Sequence, residues 1–272
     1  MNSKKVVLVT GASSGIGEAT AQTLHDAGWE VYAGARRIDR METLEAKGVN
    51  TIKLDVTAEA SMKECVATIL SKEDRIDVLV NNAGYGSYGS LEDLPMEEAR
   101  YQFEVNVFGL ARLTQLVLPN MRERQRGKII NVSSIGGKLG EPHGCWYHAT
   151  KFAVEGLSDS LRMELKQFNI DVVVIQPGAI KTEWGSIARK NMLKISGHTT
   201  YGDLAKKHVA MLEKFDGQGS DPSVIGDAIL TACTSVKPKT RYAIGNSAGM
   251  MLFMRKILSD RLFDKMMLSY MK

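Results

Sequence analysis

Cysteine is scarce. The 272 residues hold three, Cys65, Cys145 and Cys233, far apart and without a CxxC pair. That spacing excludes a disulfide framework and a cysteine-built zinc site, and it points to a reducing, cytoplasmic compartment. Long apolar runs are missing too. No stretch reaches the ~18 residues of a membrane-crossing helix. The apolar run behind Lys4 and Lys5 ends at Gly11, which reads as a buried strand and not as a signal peptide. Charge of one sign is also in short supply. Lys and Arg total 35 against 31 for Asp and Glu, a net +4. A nucleic-acid surface needs clustered basic residues, so no nucleic-acid partner is expected, while an anionic cofactor is compatible. The five histidines have no ligand spacing, and no metal is expected. With no Pro/Gly linker and no repeat, residues 1–272 read as one domain.

What is present is a rhythm. Short Val- and Ile-rich runs alternate with stretches of helical period. The strand candidates are 5–10, 30–35, 51–55, 76–81, 128–133, 171–176 and 241–245. Several are apolar nearly throughout, as parallel strands buried on both faces are. Gly28, Gly48 and Gly127 stand where helix C-caps are expected. Strand–helix alternation predicts right-handed crossovers and an α/β fold of Rossmann type, a doubly wound parallel sheet in a three-layer α/β/α sandwich. Two segments break the rhythm. Residues 183–221 carry no strand candidate, and the tail, 248–272, mixes Met, Leu and Phe with Arg, Lys and Asp.

The first strand runs into Gly11-Ala-Ser13-Ser14-Gly15-Ile16-Gly17 and then a helical stretch. A turn of this kind lets the backbone approach a pyrophosphate, and the helix N-terminus offers it unpaired N–H groups. Alone it is also an ordinary Gly-rich turn; its place between first strand and first helix favours the dinucleotide reading. The second strand ends in Arg36 and Arg37, with no carboxylate before Asp39. A guanidinium forks onto a 2′-phosphate, so NADP(H) is favoured over NAD(H); the alternative is a solvated basic loop. Asp55, beside Val56 after the third strand, is placed to accept from an adenine amino group, or to cap the next helix.

Ser134 follows the fifth strand, and Tyr147 and Lys151 follow thirteen and seventeen residues later. By itself YxxxK matches by chance. At i and i+4 on a helix, however, the two side chains share a face. Carbonyl reduction needs a hydride on carbon and a proton on oxygen. A phenol with a reference pKa of about 10 is a poor base in the reverse direction. A cation about 4 Å away in a partly buried site contributes about 4 kcal/mol, roughly three pKa units. Lys151 is thus placed to tune Tyr147, with Ser134 polarising the substrate oxygen. The alternative is a surface helix pair and a helix-capping serine.

Taken together, TGASSGIG at 10–17, NNAG at 81–84, Asn106, Ser134, YHATK at 147–151, and PG at 177–178 followed by Thr182 resemble the short-chain dehydrogenase/reductase family in its compact branch. The resemblance implies that Asn82, Ala83 and Gly84 line the adenosine side of the cofactor. It implies that Asn106 kinks its helix and holds a water that links Lys151 to solvent. Lys151 would also bond the nicotinamide ribose. Pro177, Gly178, the Ile180 backbone and the Thr182 hydroxyl would hold the carboxamide. One position departs from the pattern: many NADP-preferring relatives carry a basic residue where Ser14 stands, so the preference rests on Arg36, with Arg37 beside it.

Within the family the looser similarity is to 17β-hydroxysteroid dehydrogenase-like, retinol dehydrogenase-like and bacterial carbonyl reductases. The expected partners are a small carbonyl or alcohol substrate and further copies of the chain, as a homodimer or homotetramer. Candidate substrate residues are Ser134, Ile135, Gly136, Tyr147 and Trp184, with His143 and Trp146 nearby. Glu141 reads as a solvated loop charge ahead of a selectivity determinant. Residues 183–221 would form a lid by analogy. The tail reads as a docked amphipathic helix rather than a membrane-surface helix. The competing functional class is a non-catalytic NADP-binding regulator or redox sensor, which would be expected to lack the Tyr–Lys pair; a sugar-nucleotide epimerase is disfavoured by the glycine spacing and the length.

Overall fold

A computed structural model describes residues 4–271; residues 1–3 and the last tail residue, Lys272, lie outside the described residues. Seven strands form one parallel sheet in the order β3-β2-β1-β4-β5-β6-β7. They are β1 (Val6–Thr10), β2 (Glu30–Ala35), β3 (Asn50–Lys53), β4 (Val78–Asn81), β5 (Gly127–Val132), β6 (Ile170–Pro177) and β7 (Arg241–Ile244). The helices are α1 (Gly15–Asp26), α2 (Glu42–Glu45), α3 (Glu59–Glu73), α4 (Met96–Phe103), α5 (Leu110–Glu123), α6 (Cys145–Leu165), α7 (Glu183–Ser196), α8 (Gly202–Gly217), α9 (Ser223–Thr234), α10 (Ala248–Ile257) and α11 (Asp260–Ser269). The expected Rossmann-type three-layer arrangement is present.

Both sheet faces are covered, which is why the strands are apolar nearly throughout. On one face Val7, Val9, Val31 and Ala33 pack with Leu24 of α1 and Ile225 and Ile229 of α9. On the other, Val6, Leu8, Leu79 and Ile129 pack with Ile69 of α3, Leu113 and Val117 of α5, and Leu165 of α6. Burying each such aliphatic side chain contributes about 1.5–3 kcal/mol.

Most strand ends differ from the sequence expectation by a residue or two, and three differences have local causes. Strand β3 stops at Lys53 because Asp55 turns the chain: its Oδ1 accepts from the Thr57 N–H at 2.9 Å and from the Thr57 hydroxyl at 2.8 Å. Strand β4 starts only at Val78; the Asp77 carboxylate takes the Val6 N–H at 2.9 Å, while its backbone still bonds to Val6 and Lys128. Gly127 is not a C-cap. The left-handed residue after α5 is Gln125 (φ 50°), while Gly127 opens β5, where a Cβ would strike Met121. Gly28 (φ 82°) and Gly48 (φ 91°) do take the left-handed conformation that ends a helix.

The strand order reverses between β1 and β4. In doubly wound sheets a crevice opens at the carboxyl ends of the strands on either side of such a point. The turns after all seven strands point to that edge. Helices α7 and α8 cross above it, and α10 and α11 close its far side, where Phe263 and Met267 pack on Leu139.

Candidate active site

One cleft of about 420 Å³ runs along the carboxyl edge of the sheet, from Arg36 to Tyr270. That size suits a small-molecule site. Its first wall is the β1–α1 turn. Gly11 (φ 67°) and Gly15 (φ 58°) are left-handed. A Cβ on Gly17 would overlap the Gly11 carbonyl and the Asn82 amide, so the turn and the chain after β4 lie in contact. Asn82 fastens them by donating to the Thr10 carbonyl at 2.9 Å, while the Thr10 hydroxyl accepts the N–H groups of Asn82 and Ala83 at 3.0 and 2.9 Å. Ser14 stands at the N-cap of α1 but makes no side-chain cap. The first-turn N–H groups are thereby left for an anion in the cleft.

Arg36 and Arg37 follow β2 at the cleft's edge, both exposed. Arg36 donates to the Tyr101 hydroxyl at 2.8 Å and Arg37 to Ser13 Oγ at 3.2 Å. Asp55 and Val56 line the same end, as do Asn82, Ala83 and Gly84. Asp55 commits Oδ1 to Thr57, so it serves as a turn former as well as a cleft residue. At the other end stand Pro177, Gly178, Ile180 and Thr182. A bridge to Ser220 uses the Lys181 N–H and the Ala179 carbonyl. The Ile180 backbone groups are therefore left to turn toward the cleft. A Cβ on Gly15 would meet the Thr182 methyl at 3.0 Å, so this end folds back over the glycine turn. Uncapped helix N–H groups, two guanidinium groups and unspent backbone donors fit an extended, polyanionic dinucleotide.

Between those ends lie Ser134, Tyr147 and Lys151. Tyr147 and Lys151 sit on one face of α6, both buried. The Lys151 ammonium donates to the Val132 carbonyl at 2.9 Å and stands 5.9 Å from the centre of the Tyr147 ring. Burial pushes the Lys151 pKa down to about 8, with the Glu155 carboxylate opposing. Burial likewise raises the Tyr147 phenol to about 12; the Ser134 hydroxyl pulls it back and the Glu141 charge pushes it further up. Ser134 Oγ accepts from the Gly136 N–H at 3.0 Å. Ile135 and Gly136 line the cleft beside it.

Asn106 sits in a π-helical turn (Glu104–Gly109) between α4 and α5. Such wide turns loosen the backbone ladder locally. Its amide brackets Tyr85, accepting the Tyr85 N–H at 3.0 Å and donating to the Tyr85 carbonyl at 2.9 Å, and it also donates to Thr150 Oγ1 at 3.0 Å. It ties the chain after β4 to the helix that carries Tyr147 and Lys151.

The sequence matches the short chain dehydrogenase family over residues 5–192. The chain belongs to that family of oxidoreductases. It is 38% identical to the 3-ketodihydrosphingosine reductase of Bacteroides thetaiotaomicron, over 89% of this chain and 88% of that one. The NADPH-dependent 3-dehydrocapnine reductase of Ornithobacterium rhinotracheale is 32% identical, over 96% and 95%. The crystal structure of a short-chain dehydrogenase from Streptomyces avermitilis superposes with a TM-score of 0.80 at 37% identity, covering 92% of each chain.

Some expectations require correction. Trp146 does not line the cleft; it packs edge-on against Phe103 at 6.3 Å. His143 lies behind the cleft, buried and stacked on His208 at 5.4 Å. Glu141 is not a solvated loop charge: its side chain is 14% exposed and lines the cleft. Trp184 lines the cleft, 5.0 Å from the Tyr147 ring. Sequence reasoning missed Tyr88, which packs 5.6 Å from Tyr147 and donates to Glu141 at 2.9 Å. It also missed the apolar far wall of Met211, Phe215, Met251 and Met267. The clue available was the density of Met and aromatic residues in the two segments outside the repeating unit.

Proposed function

We propose that this chain is an NADP(H)-dependent carbonyl reductase, moving a hydride between the nicotinamide and a carbonyl or alcohol carbon. The observation that carries the reading is the meeting, in one cleft, of the uncapped α1 N-terminus with Ser134, Tyr147 and Lys151. Bound nicotinamide supplies or accepts the hydride. The chain's own residues handle the oxygen and its proton. Ser134 holds the substrate oxygen, and Tyr147 gives it a proton. A phenol held near 12 keeps its proton at neutral pH, which suits the reductive direction. Lys151, charged below about 8, stabilises the phenolate that forms. Asn106 positions α6 against the chain after β4.

Arg36 and Arg37 support NADP(H) over NAD(H), because a 2′-phosphate suits paired guanidinium groups. The NADPH dependence of the O. rhinotracheale reductase points the same way. Residues 183–221, built of α7 and α8, act as a lid within one domain; Trp184 closes over Tyr147. The tail docks as the far wall through Met251, Met267 and Tyr270. A cytoplasmic homodimer or homotetramer completes the reading, with exposed Phe108 and Phe152 available for self-association. No described helix is long and apolar enough to cross a membrane. The test is NADPH oxidation against a panel of aldehydes, ketones, quinones, steroids and 3-oxoacyl thioesters. Saturable turnover of at least one class is expected; none with any carbonyl, despite NADPH binding, would overturn the reading.

A further inference from the structure

Arginines elsewhere on this surface are spent on carboxylates. Arg40 pairs with Glu183 at 2.9 Å, Arg241 with Asp159 at 2.7 Å and Arg255 with Asp260 at 2.7 Å. Arg36 and Arg37 are different. Among the described residues neither forms an ion pair with a carboxylate, and each is held by a hydroxyl instead. Arg36 Nη1 donates to Tyr101 Oη at 2.8 Å, and Arg37 Nη2 donates to Ser13 Oγ at 3.2 Å. A carboxylate in either place would neutralise the guanidinium and compete with an incoming anion. A neutral hydroxyl fixes its direction and leaves its charge whole.

Tyr101, on α4, is itself held. Its ring rests on Tyr85, with centroids 5.7 Å apart and planes tilted by 49°. The Tyr85 backbone is clasped in turn by the Asn106 amide, at 3.0 and 2.9 Å. Arg36 and Tyr85 line the cleft and Tyr101 does not, so the phenol acts from behind the guanidinium. Asp55, Val56 and Gly84 line the same end. That is the end read above as the adenosine side of the cofactor. An exposed arginine samples many rotamers, and gripping a phosphate removes that freedom. A hydrogen bond to Tyr101 removes it beforehand and engages only one of the five guanidinium N–H groups.

We propose that Tyr101 is a positioning residue for cofactor choice, its hydroxyl holding the Arg36 guanidinium ready for a 2′-phosphate. The proposal rests on the reading that Arg36 selects NADP(H). It adds to that selection a residue outside the cleft, on a helix that contributes nothing else to the adenosine end. NAD(H) has no phosphate on that ribose, so the same hydrogen bond is idle toward it. Tyr101 therefore acts on the 2′-phosphate and on no other part of the dinucleotide.

The test is calorimetric titration with adenosine 2′,5′-bisphosphate and with 5′-AMP, which differ only in the 2′-phosphate and need no turnover. The wild-type protein should prefer the bisphosphate by at least about tenfold. Tyr101→Phe keeps the ring on Tyr85. It should lower that preference roughly threefold to tenfold, with 5′-AMP affinity changed by less than about twofold. In an Arg36→Ala background, adding Tyr101→Phe should change nothing further, because the phenol works only through the guanidinium. An unaltered or increased preference in Tyr101→Phe, or an equal loss with and without Arg36, would overturn the proposal. A preference that collapses in Arg36→Ala but survives in Tyr101→Phe leaves the NADP(H) reading standing and removes Tyr101. No preference in the wild-type protein ends both. Should Tyr101→Phe fail to fold, Tyr101→Gln and Tyr101→Leu decide in its place. The glutamine keeps an acceptor for Arg36 and must retain at least about threefold more preference than the leucine; equal values would sink the idea.

Discussion

At the residue scale, burial shifts the two partners on α6 in directions that suit reduction. Lys151 is lowered to about 8 and Tyr147 raised to about 12. The initial expectation, a lysine that lowers the phenol from about 4 Å, is not the geometry found: Lys151 is tied to the Val132 carbonyl and stands 5.9 Å from the Tyr147 ring centre. Tyr147 is instead a held proton, and Lys151 a charge awaiting the phenolate. The sign of the pH dependence follows. A lysine with a lowered pKa is charged below about 8 and neutral above it, so the help it gives the forming phenolate is lost as pH rises. The kcat/KM for carbonyl reduction should therefore fall above about pH 8. Lys151→Arg, which stays charged, should lose that limb at a lower plateau. A flat wild-type profile to about pH 10 would remove Lys151 from this role.

At the element scale, the end of β2 tests the choice of cofactor. Arg36 stands at the cleft's edge with its guanidinium steadied by Tyr101, and no carboxylate shares the turn before Asp39. Arg36→Asp should cut the NADPH-to-NADH ratio of kcat/KM by roughly 10²-fold, because a carboxylate repels a 2′-phosphate and accepts from a ribose hydroxyl. An unchanged ratio would show that Arg36 does not read the phosphate. The strands were legible because burial on both faces imposes Val and Ile throughout, as in β1 and β6. Their ends were less so. Asp55 ended β3 through a local hydrogen bond to Thr57, a choice that competes with the ladder and leaves little trace in hydrophobicity. The glycine turn and the Tyr–Lys pair were legible because each depends on residues close in sequence. Glu141 was not. Its burial depends on Tyr88, His148 and His208, which reach it from three separate segments.

At the scale of the whole molecule, the two segments outside the alternating pattern build the side of the cleft away from the sheet. Helices α7 and α8 bring Ala188, Met192, Ala205 and Val209 into one cluster with Tyr88 and Tyr147. Helices α10 and α11 bring Phe263 and Met267 onto Leu139. Loss of the last helix, by truncation after Leu258, should raise KM for a long-chain carbonyl roughly 10- to 30-fold, since each uncovered methylene is about 0.8 kcal/mol. A small carbonyl should change far less. Equal changes for both, with an unaltered melting temperature, would mean that the tail does not line the path of the chain.

The central claim is that Tyr147 delivers the proton in an NADPH-driven carbonyl reduction. The most direct measurement is the rate of NADPH oxidation with a carbonyl substrate in the wild-type protein and in Tyr147→Phe, alongside NADPH affinity by fluorescence titration. The prediction is a loss of at least about 10²-fold in turnover with NADPH affinity within a few-fold of wild type. Wild-type turnover in the Phe variant would contradict it.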